Sequence, residues 1–345
     1  VLLESRRPLV EEFDLFMVDL DGVVYIGGRA VAGAPEALSR VRAAGSKVAF
    51  VTNNASRTAQ TVATHLNELG VEAAATDVVT SSQAAAGLLV REWGVGARVL
   101  MLGAEGLREA LVAVGLDPVL DVTRDDVVAV VTGFGPDVLW RDVMRVAVRI
   151  RQGLPWVATN TDMSFPTDYG QAPGHGVQVE MLSQFSGVTP QVGGKPSRPL
   201  LDETMARAGT TSAVMVGDRL DTDMEGAHNV GVPSLLVLTG VTGLAELVAA
   251  TPQERPSYIA STLQGIFEPH PVATTRVTPG LVTAALDGWE VTVTADGHLS
   301  VRGGGDGDDW WRAVASAAWR HQDEGRGVVL TGSVVPPSEP VARDG

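Results

Sequence analysis

Short apolar runs of four or five residues, each followed by a stretch with helical spacing, constrain this chain more than any other feature. Leu15-Phe16-Met17-Val18 runs into Asp19, Val48-Ala49-Phe50-Val51 into Thr52, and Ala213-Val214-Met215-Val216 into Gly217-Asp218; residues 234–238 form a further run. Helical periodicity fills 35–44 up to Gly45 and 58–69 up to Gly70. This alternation predicts a parallel sheet covered by helices. Between the two blocks lies a region with its own rhythm, with strands expected at 98–102 and 127–131 and helices at 105–114 and 138–152. It is read as an insertion. After about residue 270 the texture changes to a β-hairpin, 289–294 and 298–302, turning at Asp296-Gly297, then a glycine- and aspartate-rich turn and a helix over 310–322. The Pro-rich, charged tail 336–345 is expected to be loose.

The expected fold is α/β: a Rossmann-like parallel-sheet core, an inserted α/β cap domain and a small α+β C-terminal domain. The expected bounds are 10–80 with 185–268 for a discontinuous catalytic core, 81–184 for a cap that sets specificity, and 270–345 for the C-terminal part. At 345 residues, two or three domains are the natural expectation.

Charge and composition exclude several classes of function. A net charge of −15 makes nucleic acid and anionic membrane surfaces poor partners. With no cysteine there is no disulfide framework, thiolate zinc site or cysteine nucleophile, which fits the cytoplasm. Charge enters the N-terminal residues too early for a signal peptide, and the most apolar later stretch, 234–250, is interrupted by Glu246, so no membrane span is expected. An acidic protein that handles phosphate must build a local positive site, for which a divalent cation serves. Only two of the 26 basic residues are lysines, Lys47 and Lys195, so each lysine merits attention.

In an open α/β sheet ligands bind at the carboxyl ends of the strands. Four such ends carry polar groups here. Asp19-Leu20-Asp21-Gly22 sets two carboxylates across a tight turn, although Asp-x-Asp-Gly is also an ordinary strand exit. Thr52-Asn53-Asn54 offers a hydroxyl and amide donors. Gly193-Gly194-Lys195-Pro196 lets backbone approach a ligand and brings an ammonium. Gly217-Asp218-Arg219-Leu220-Asp221-Thr222-Asp223 supplies carboxylates suited to a hard cation, or simply caps the next helix. Each alone has a plain structural reading; the four in this order do not.

These residues closely resemble the haloacid-dehalogenase-like phosphatases over roughly 13–267. The spacing leaves no room for a cap between Asp19 and Thr52 but over a hundred residues between Thr52 and Lys195, as in the branch with NagD and the p-nitrophenylphosphatases. Asn160-Thr161-Asp162 and Gly193-Gly194-Lys195-Pro196-Ser197 are similar to that branch. The resemblance implies that Asp19 is the nucleophile, forming an aspartyl-phosphate, and Asp21 the general acid and base. It implies Mg²⁺ held by Asp19, the Asp21 carbonyl and Asp218, with Asp223 acting directly or through water, and with Thr52, Asn53 and Lys195 on phosphoryl oxygens and Asn54 orienting that loop or Asp21. Val23 stands where many relatives have Thr, a tolerable change.

Asn160, Asp162 and His175 are candidates for reading the organic part of a small phosphomonoester substrate, with a solvent-exposed loop histidine as the other reading of His175. His65 and His228 are read as structural. The whole chain looks most like the actinobacterial glycerol-3-phosphate phosphatases, with phosphoglycolate, pyridoxal phosphate and nucleotides as alternative substrates. A homo-oligomer is left open. A rival class is a regulatory or binding protein on this scaffold, against which the intact Asp19, Asp21, Lys195 and Asp218 speak. Arg302-Gly303-Gly304-Gly305-Asp306-Gly307 formally matches an acetyltransferase pyrophosphate loop, but its aspartates would repel that ligand, and no acetyl-CoA binding is expected. Trp310, Trp311 and Trp319 are expected to pack this segment onto its neighbours or a second subunit.

Overall fold

The computed structural model describes residues 1–167, 170–332 and 334–337, so the tail expected to be loose lies outside the described residues from 338 onward. The chain divides into two compact units. The first comprises Val1–Ile26, Val31–Lys47 and Ser212–Gly345, the second Gly27–Ala30 and Val48–Thr211. Among the described residues no helix is long and apolar enough to cross a membrane.

In the first unit four strands lie in parallel: Leu15–Val18 pairs with Ala213–Gly217, then Ser234–Val237, then Tyr258–Ala260. Leu15–Val18 and Ala213–Gly217 are buried at every position, which explains why they are continuous apolar runs rather than alternating ones. The C-terminal segment adds four antiparallel strands, Thr274–Thr278, Leu281–Leu286, Trp289–Thr294 and Leu299–Gly303. The hairpin expected over 289–302 is therefore half of a four-stranded sheet. Helix Gly307–Gln322 shares one apolar cluster with Val282, Ala284, Val291 and Val293 of that sheet, with Leu236 and Ile259 of the parallel strands and with Leu247 of helix Leu244–Ala249.

Polar contacts fix the same helix. Trp319 donates its indole N–H to the Leu247 carbonyl at 2.8 Å, and the buried Arg312 reaches the Ile259 carbonyl at 3.1 Å, Asp309 at 2.8 Å and His270 Nδ1 at 3.2 Å. Trp319 thus packs this segment onto its own unit. His270 also contacts the Gly265 carbonyl through Nε2 at 2.8 Å; burial, then the Arg312 charge, brings its pKa down to about 4.

The second unit holds the whole stretch expected as an insertion, together with 48–80 and 185–211. Strand Lys47–Thr52 pairs in parallel with Val78–Thr80. A five-stranded parallel sheet follows, in the order Gln191–Val192, Trp156–Ala158, Ala129–Thr132, Arg98–Leu102, Asp117–Val119. Helices Ser81–Trp93 and Glu105–Ala113 share one apolar cluster with alternate strand residues, among them Val99, Met101 and Val131. Helices Trp140–Arg151 and His175–Ser186 share a second cluster with Leu100, Leu102 and Val130. Neighbouring strand residues thus feed opposite clusters, as the two-residue strand period requires.

Candidate active site: a carboxylate cluster and an amide clamp

The first unit brings three of the expected metal ligands together. Asp19 follows the strand Leu15–Val18, its N–H donated to the Val216 carbonyl at 2.9 Å, and Asp218 follows the neighbouring strand. One carboxylate oxygen from each of Asp19, Asp218 and Asp223 lies within 4.8 Å of the others, and all three residues are buried. Asp223 arrives from the one-turn helix Leu220–Met224, its Oδ2 accepting from the Arg219 N–H at 3.1 Å.

Three glycines make room for these groups. A Cβ on Gly22 or Gly240 would collide with the Asp218 carboxylate, and one on Gly217 with the Asp223 side chain. Gly22 also takes φ +86°, a left-handed conformation that favours glycine. The turn it permits, closed by Gly22 N–H to the Tyr25 carbonyl at 2.8 Å, leaves Asp21 exposed. The Asp21 carboxylate is not one of the clustered three.

The cluster is electrostatically unfinished. Asp218 Oδ2 accepts from the Val241 N–H at 2.7 Å, but Oδ1, though buried, has no hydrogen-bond partner. Burial first, then the carboxylates of Asp223 and Asp19, push the Asp218 pKa up to about 8. Hard oxygen donors, a buried orphan oxygen and space maintained by glycine suit a hard divalent cation such as Mg²⁺. The residues present fit that ion.

Sequence reasoning missed the loop that supports this cluster. Thr239 donates to the Gly22 carbonyl at 2.6 Å, and Thr242 to the Asp218 carbonyl at 2.6 Å. The available signal was Thr239-Gly240-Val241-Thr242-Gly243 directly after a strand, another polar strand exit.

The second unit gathers the other set. Thr52 ends the strand Lys47–Thr52 and Asn53 follows it, both buried. The Asn53 side chain donates to the Lys195 carbonyl at 2.9 Å and to Asp162 Oδ1 at 2.9 Å, while its oxygen accepts from the Lys195 N–H at 2.8 Å. Its backbone carbonyl accepts from Asn160 Nδ2 at 2.7 Å and from the buried Ser81 hydroxyl at 2.7 Å. Asn53 therefore ties three chain segments together with its side chain and carbonyl. Gly194 is required beside it, because a Cβ there would meet Asn53 Oδ1 and the Thr159 carbonyl. The Lys195 side chain is almost completely buried, 1% exposed, with Nζ 3.5 Å from the Val51 carbonyl.

The remaining candidates divide by role. Asn54 Oδ1 accepts from both the N–H and hydroxyl of Ser56 at 2.9 Å, so this side chain shapes its own loop. Asn160 Oδ1 accepts from the Asp162 N–H at 3.2 Å. His175 begins a helix with its ring buried: Nε2 faces Thr132 Oγ1 at 3.2 Å and Nδ1 faces Gln178 Oε1 at 3.1 Å. Burial lowers its pKa to about 4, which makes it neutral near pH 7. It is not an exposed loop residue. Its flanking glycines serve backbone approach, since a Cβ on Gly174 or Gly176 would strike the Asp162 or Thr161 carbonyl.

A cleft of about 520 Å³ opens in the same unit against Ser56 and residues 103–105 and 134–139. It lies past the carboxyl ends of Arg98–Leu102 and Ala129–Thr132, where the strand order reverses. In the first unit, the glycine loop before helix Gly307–Gln322 is closed by its own residues. Asp306 caps the helix by accepting from the Asp308 and Asp309 N–H groups at 2.8 and 3.3 Å, which fills the position a pyrophosphate would take.

Comparison with known proteins adds independent findings. Residues 16–117 match the haloacid dehalogenase-like hydrolase family, and residues 192–266 a second HAD-hydrolase-like family. The D-glycerol 3-phosphate phosphatase of Mycobacterium tuberculosis is 42% identical over 322 residues, 91% of this chain and 88% of its own length. An acid sugar phosphatase of Staphylococcus saprophyticus is 34% identical over 69% of this chain and 91% of its own length. The crystal structure of the M. tuberculosis glycerol phosphate phosphatase in complex with magnesium superposes with a TM-score of 0.80 at 42% identity, covering 91% of this chain and 92% of that one. The p-nitrophenyl phosphatase of Archaeoglobus fulgidus gives 0.69 at 28% identity, covering 74% of this chain and 98% of that one.

Proposed function

Because the chain belongs to the haloacid dehalogenase-like hydrolases, we propose that it is a Mg²⁺-dependent phosphatase of small phosphomonoesters, with glycerol 3-phosphate as its preferred substrate. The observation that carries the reading is the buried Asp19–Asp218–Asp223 cluster with its unpartnered oxygen, a site that a hard cation completes. The substrate assignment rests on the 42% identity to a D-glycerol 3-phosphate phosphatase over nearly the whole chain.

The ion would be held by Asp19, Asp218 and Asp223 together with the Asp21 carbonyl. When bound it supplies positive charge that offsets repulsion between an anionic nucleophile and an anionic phosphoryl group. Asp19 attacks phosphorus in line; the bond from phosphorus to the leaving alcohol oxygen breaks as the bond to the Asp19 carboxylate forms. Asp21, exposed one short turn away, gives its proton to the departing oxygen and then takes one from water. That water attacks phosphorus, releasing inorganic phosphate and restoring the Asp19 carboxylate.

Lys195 and the Thr52 hydroxyl are assigned to phosphoryl oxygens, where charge accumulates during transfer. With the Asn53 side chain committed to the clamp, its backbone N–H is the group assigned to phosphate. Asn160 and Asp162 are assigned to holding that loop in place, and His175 to bracing the start of its helix against Thr132. Substrate discrimination falls to residues 81–184. A cytoplasmic location belongs to the same proposal.

Phosphate release from glycerol 3-phosphate, phosphoglycolate, pyridoxal phosphate, a nucleoside monophosphate and p-nitrophenyl phosphate, with and without Mg²⁺, tests this reading. Glycerol 3-phosphate is expected to give the highest kcat/KM. A low rank for it would overturn the substrate, and no Mg²⁺-dependent release from any compound would overturn the phosphatase.

A further inference from the structure

The loop that aims Asp218 runs directly into a helix too short to hold itself. Helix Leu244–Ala249 has six residues, far fewer than the roughly 12 an isolated helix needs. Residues 239–243 precede it, and from them the Asp218 carboxylate receives the Val241 N–H at 2.7 Å and the Asp218 carbonyl the Thr242 hydroxyl at 2.6 Å. Gly240 lies so close that a Cβ there would overlap Asp218 Oδ2, so a displacement of this loop displaces the carboxylate. The carboxylate also needs backing, because the buried oxygens of Asp19, Asp218 and Asp223 repel one another within 4.8 Å.

The last turn of a helix leaves carbonyls without intrahelical donors. Here the C-terminal segment supplies donors. From the last turn of helix Gly307–Gln322, Trp319 donates to the Leu247 carbonyl at 2.8 Å and Gln322 Nε2 to the Val248 carbonyl at 2.6 Å. Arg255, beyond the short helix, completes the join. Its guanidinium donates to Asp323 Oδ1 at 2.7 Å and to Gln322 Oε1 at 3.3 Å, and lies 5.5 Å from the Trp319 ring centroid. Apolar contacts follow the same lines. Leu247, Val248 and Ala250 share a buried cluster with Trp310, Val314 and Trp319, and so do Leu220 and Met224, which carry Asp223 between them. Burial of Leu247 and Val248 alone would keep the short helix in place, but apolar contact is non-directional. Two side-chain donors on successive carbonyls fix its rotation and its position along its axis.

We propose that Trp319 and Gln322 are positioning residues of the metal site: by fixing helix Leu244–Ala249 they hold the 239–243 loop, and through it aim the Asp218 carboxylate at a divalent cation. This gives the C-terminal segment a part in the metal site. The inference rests on the reading of Asp19, Asp218 and Asp223 as Mg²⁺ ligands.

Calorimetric titration of the metal-free full chain with Mg²⁺, at a temperature where every variant is folded by circular dichroism, tests it. Trp319→Phe keeps an aromatic ring but removes the N–H donor, and is expected to weaken Mg²⁺ binding about tenfold, as loss of a group that orients a metal ligand does. In turnover, the Mg²⁺ concentration for half-maximal rate should rise in step, with kcat at saturating Mg²⁺ within about twofold of wild type. Val293→Ala, in the same cluster but on the antiparallel sheet, is the control: it should lower the melting temperature and leave Mg²⁺ affinity unchanged. Should Trp319→Phe fold poorly, Gln322→Met, which loses a half-buried amide, carries the same expectation. Unchanged affinity in Trp319→Phe, or an equal loss in Val293→Ala, would overturn the inference and leave the phosphatase reading standing. A wild type that binds no Mg²⁺ would overturn both.

Discussion

The two sets of site residues are built on opposite principles. In the first unit, Asp19, Asp218 and Asp223 bring like charges together out of water, leaving one Asp218 oxygen without a partner and its pKa pushed up to about 8. In the second, Asn53 makes three side-chain hydrogen bonds and accepts two more at its carbonyl, holding the Lys195 loop and the 160–162 turn. One is an unfinished arrangement that a hard cation would complete. The other is complete in itself and positions a lysine. Substitutions should therefore separate: in the carboxylate cluster they remove function at little or negative cost in stability, and in the clamp they remove stability first.

The largest effect expected is at Asp19. Asp19→Asn keeps shape and volume but removes the proposed nucleophile, so kcat for phosphate release should fall by about 10³-fold or more with the fold intact. A variant within tenfold of wild type would break the comparison at its functional end. Next comes Asn53→Ala, which strips the Lys195 N–H and carbonyl of buried partners and should cost about 3–5 kcal/mol in denaturant unfolding. A loss under about 1 kcal/mol would mean that the clamp is not what holds this loop.

Acid sensitivity sharpens the comparison, because each unit contains one buried histidine brought down to about 4, His270 in the first and His175 in the second. A histidine pKa depressed below its unfolded value gives stability that is full above about 6.5 and is lost as pH falls through the folded value. The histidine contribution should hold above pH 6.5 and fall from there toward pH 4, on the order of 2–3 kcal/mol for each ring, against the opposite slope of Asp218, whose raised pKa adds stability to the metal-free protein as pH falls below about 8. His175→Gln should blunt about half of the histidine slope; an unchanged profile would show that this ring does not titrate as its burial implies.

The smallest change in stability, and the most distinctive in sign, is expected of Asp218→Asn. It relieves repulsion in the cluster, so the metal-free protein should gain about 1–2 kcal/mol while turnover and the Mg²⁺-induced rise in melting temperature are both lost. Destabilisation of the metal-free form would contradict the view of the cluster as strained.

What was legible in the sequence follows the same divide. Asp19, Thr52 and Asp218 could be placed because each closes a run whose burial on all sides forces continuous apolar residues. Thr58 and Gly70 likewise mark the helix they bound, since Thr58 accepts from the Thr61 N–H at 3.1 Å and Gly70 takes φ +82°. Contacts that depend on residues far apart in the chain were not legible. Nothing local announces that Val241 donates to Asp218, that Ser81 ties Asn53, or that the ring of His175 turns inward to Thr132 rather than out of its glycine loop. The strands Thr274–Thr278 and Leu281–Leu286 escaped because the first is exposed at every position and the second has an irregular outer face, which blurs the two-residue alternation.

The most direct test of the central claim is to trap the covalent intermediate. The enzyme is mixed with glycerol 3-phosphate and Mg²⁺, quenched in acid and reduced with borohydride, and the residue converted to homoserine is located by peptide mass spectrometry. The account predicts homoserine at position 19 and none in Asp19→Asn. Conversion at another aspartate, or none during rapid phosphate release by the wild type, would contradict it.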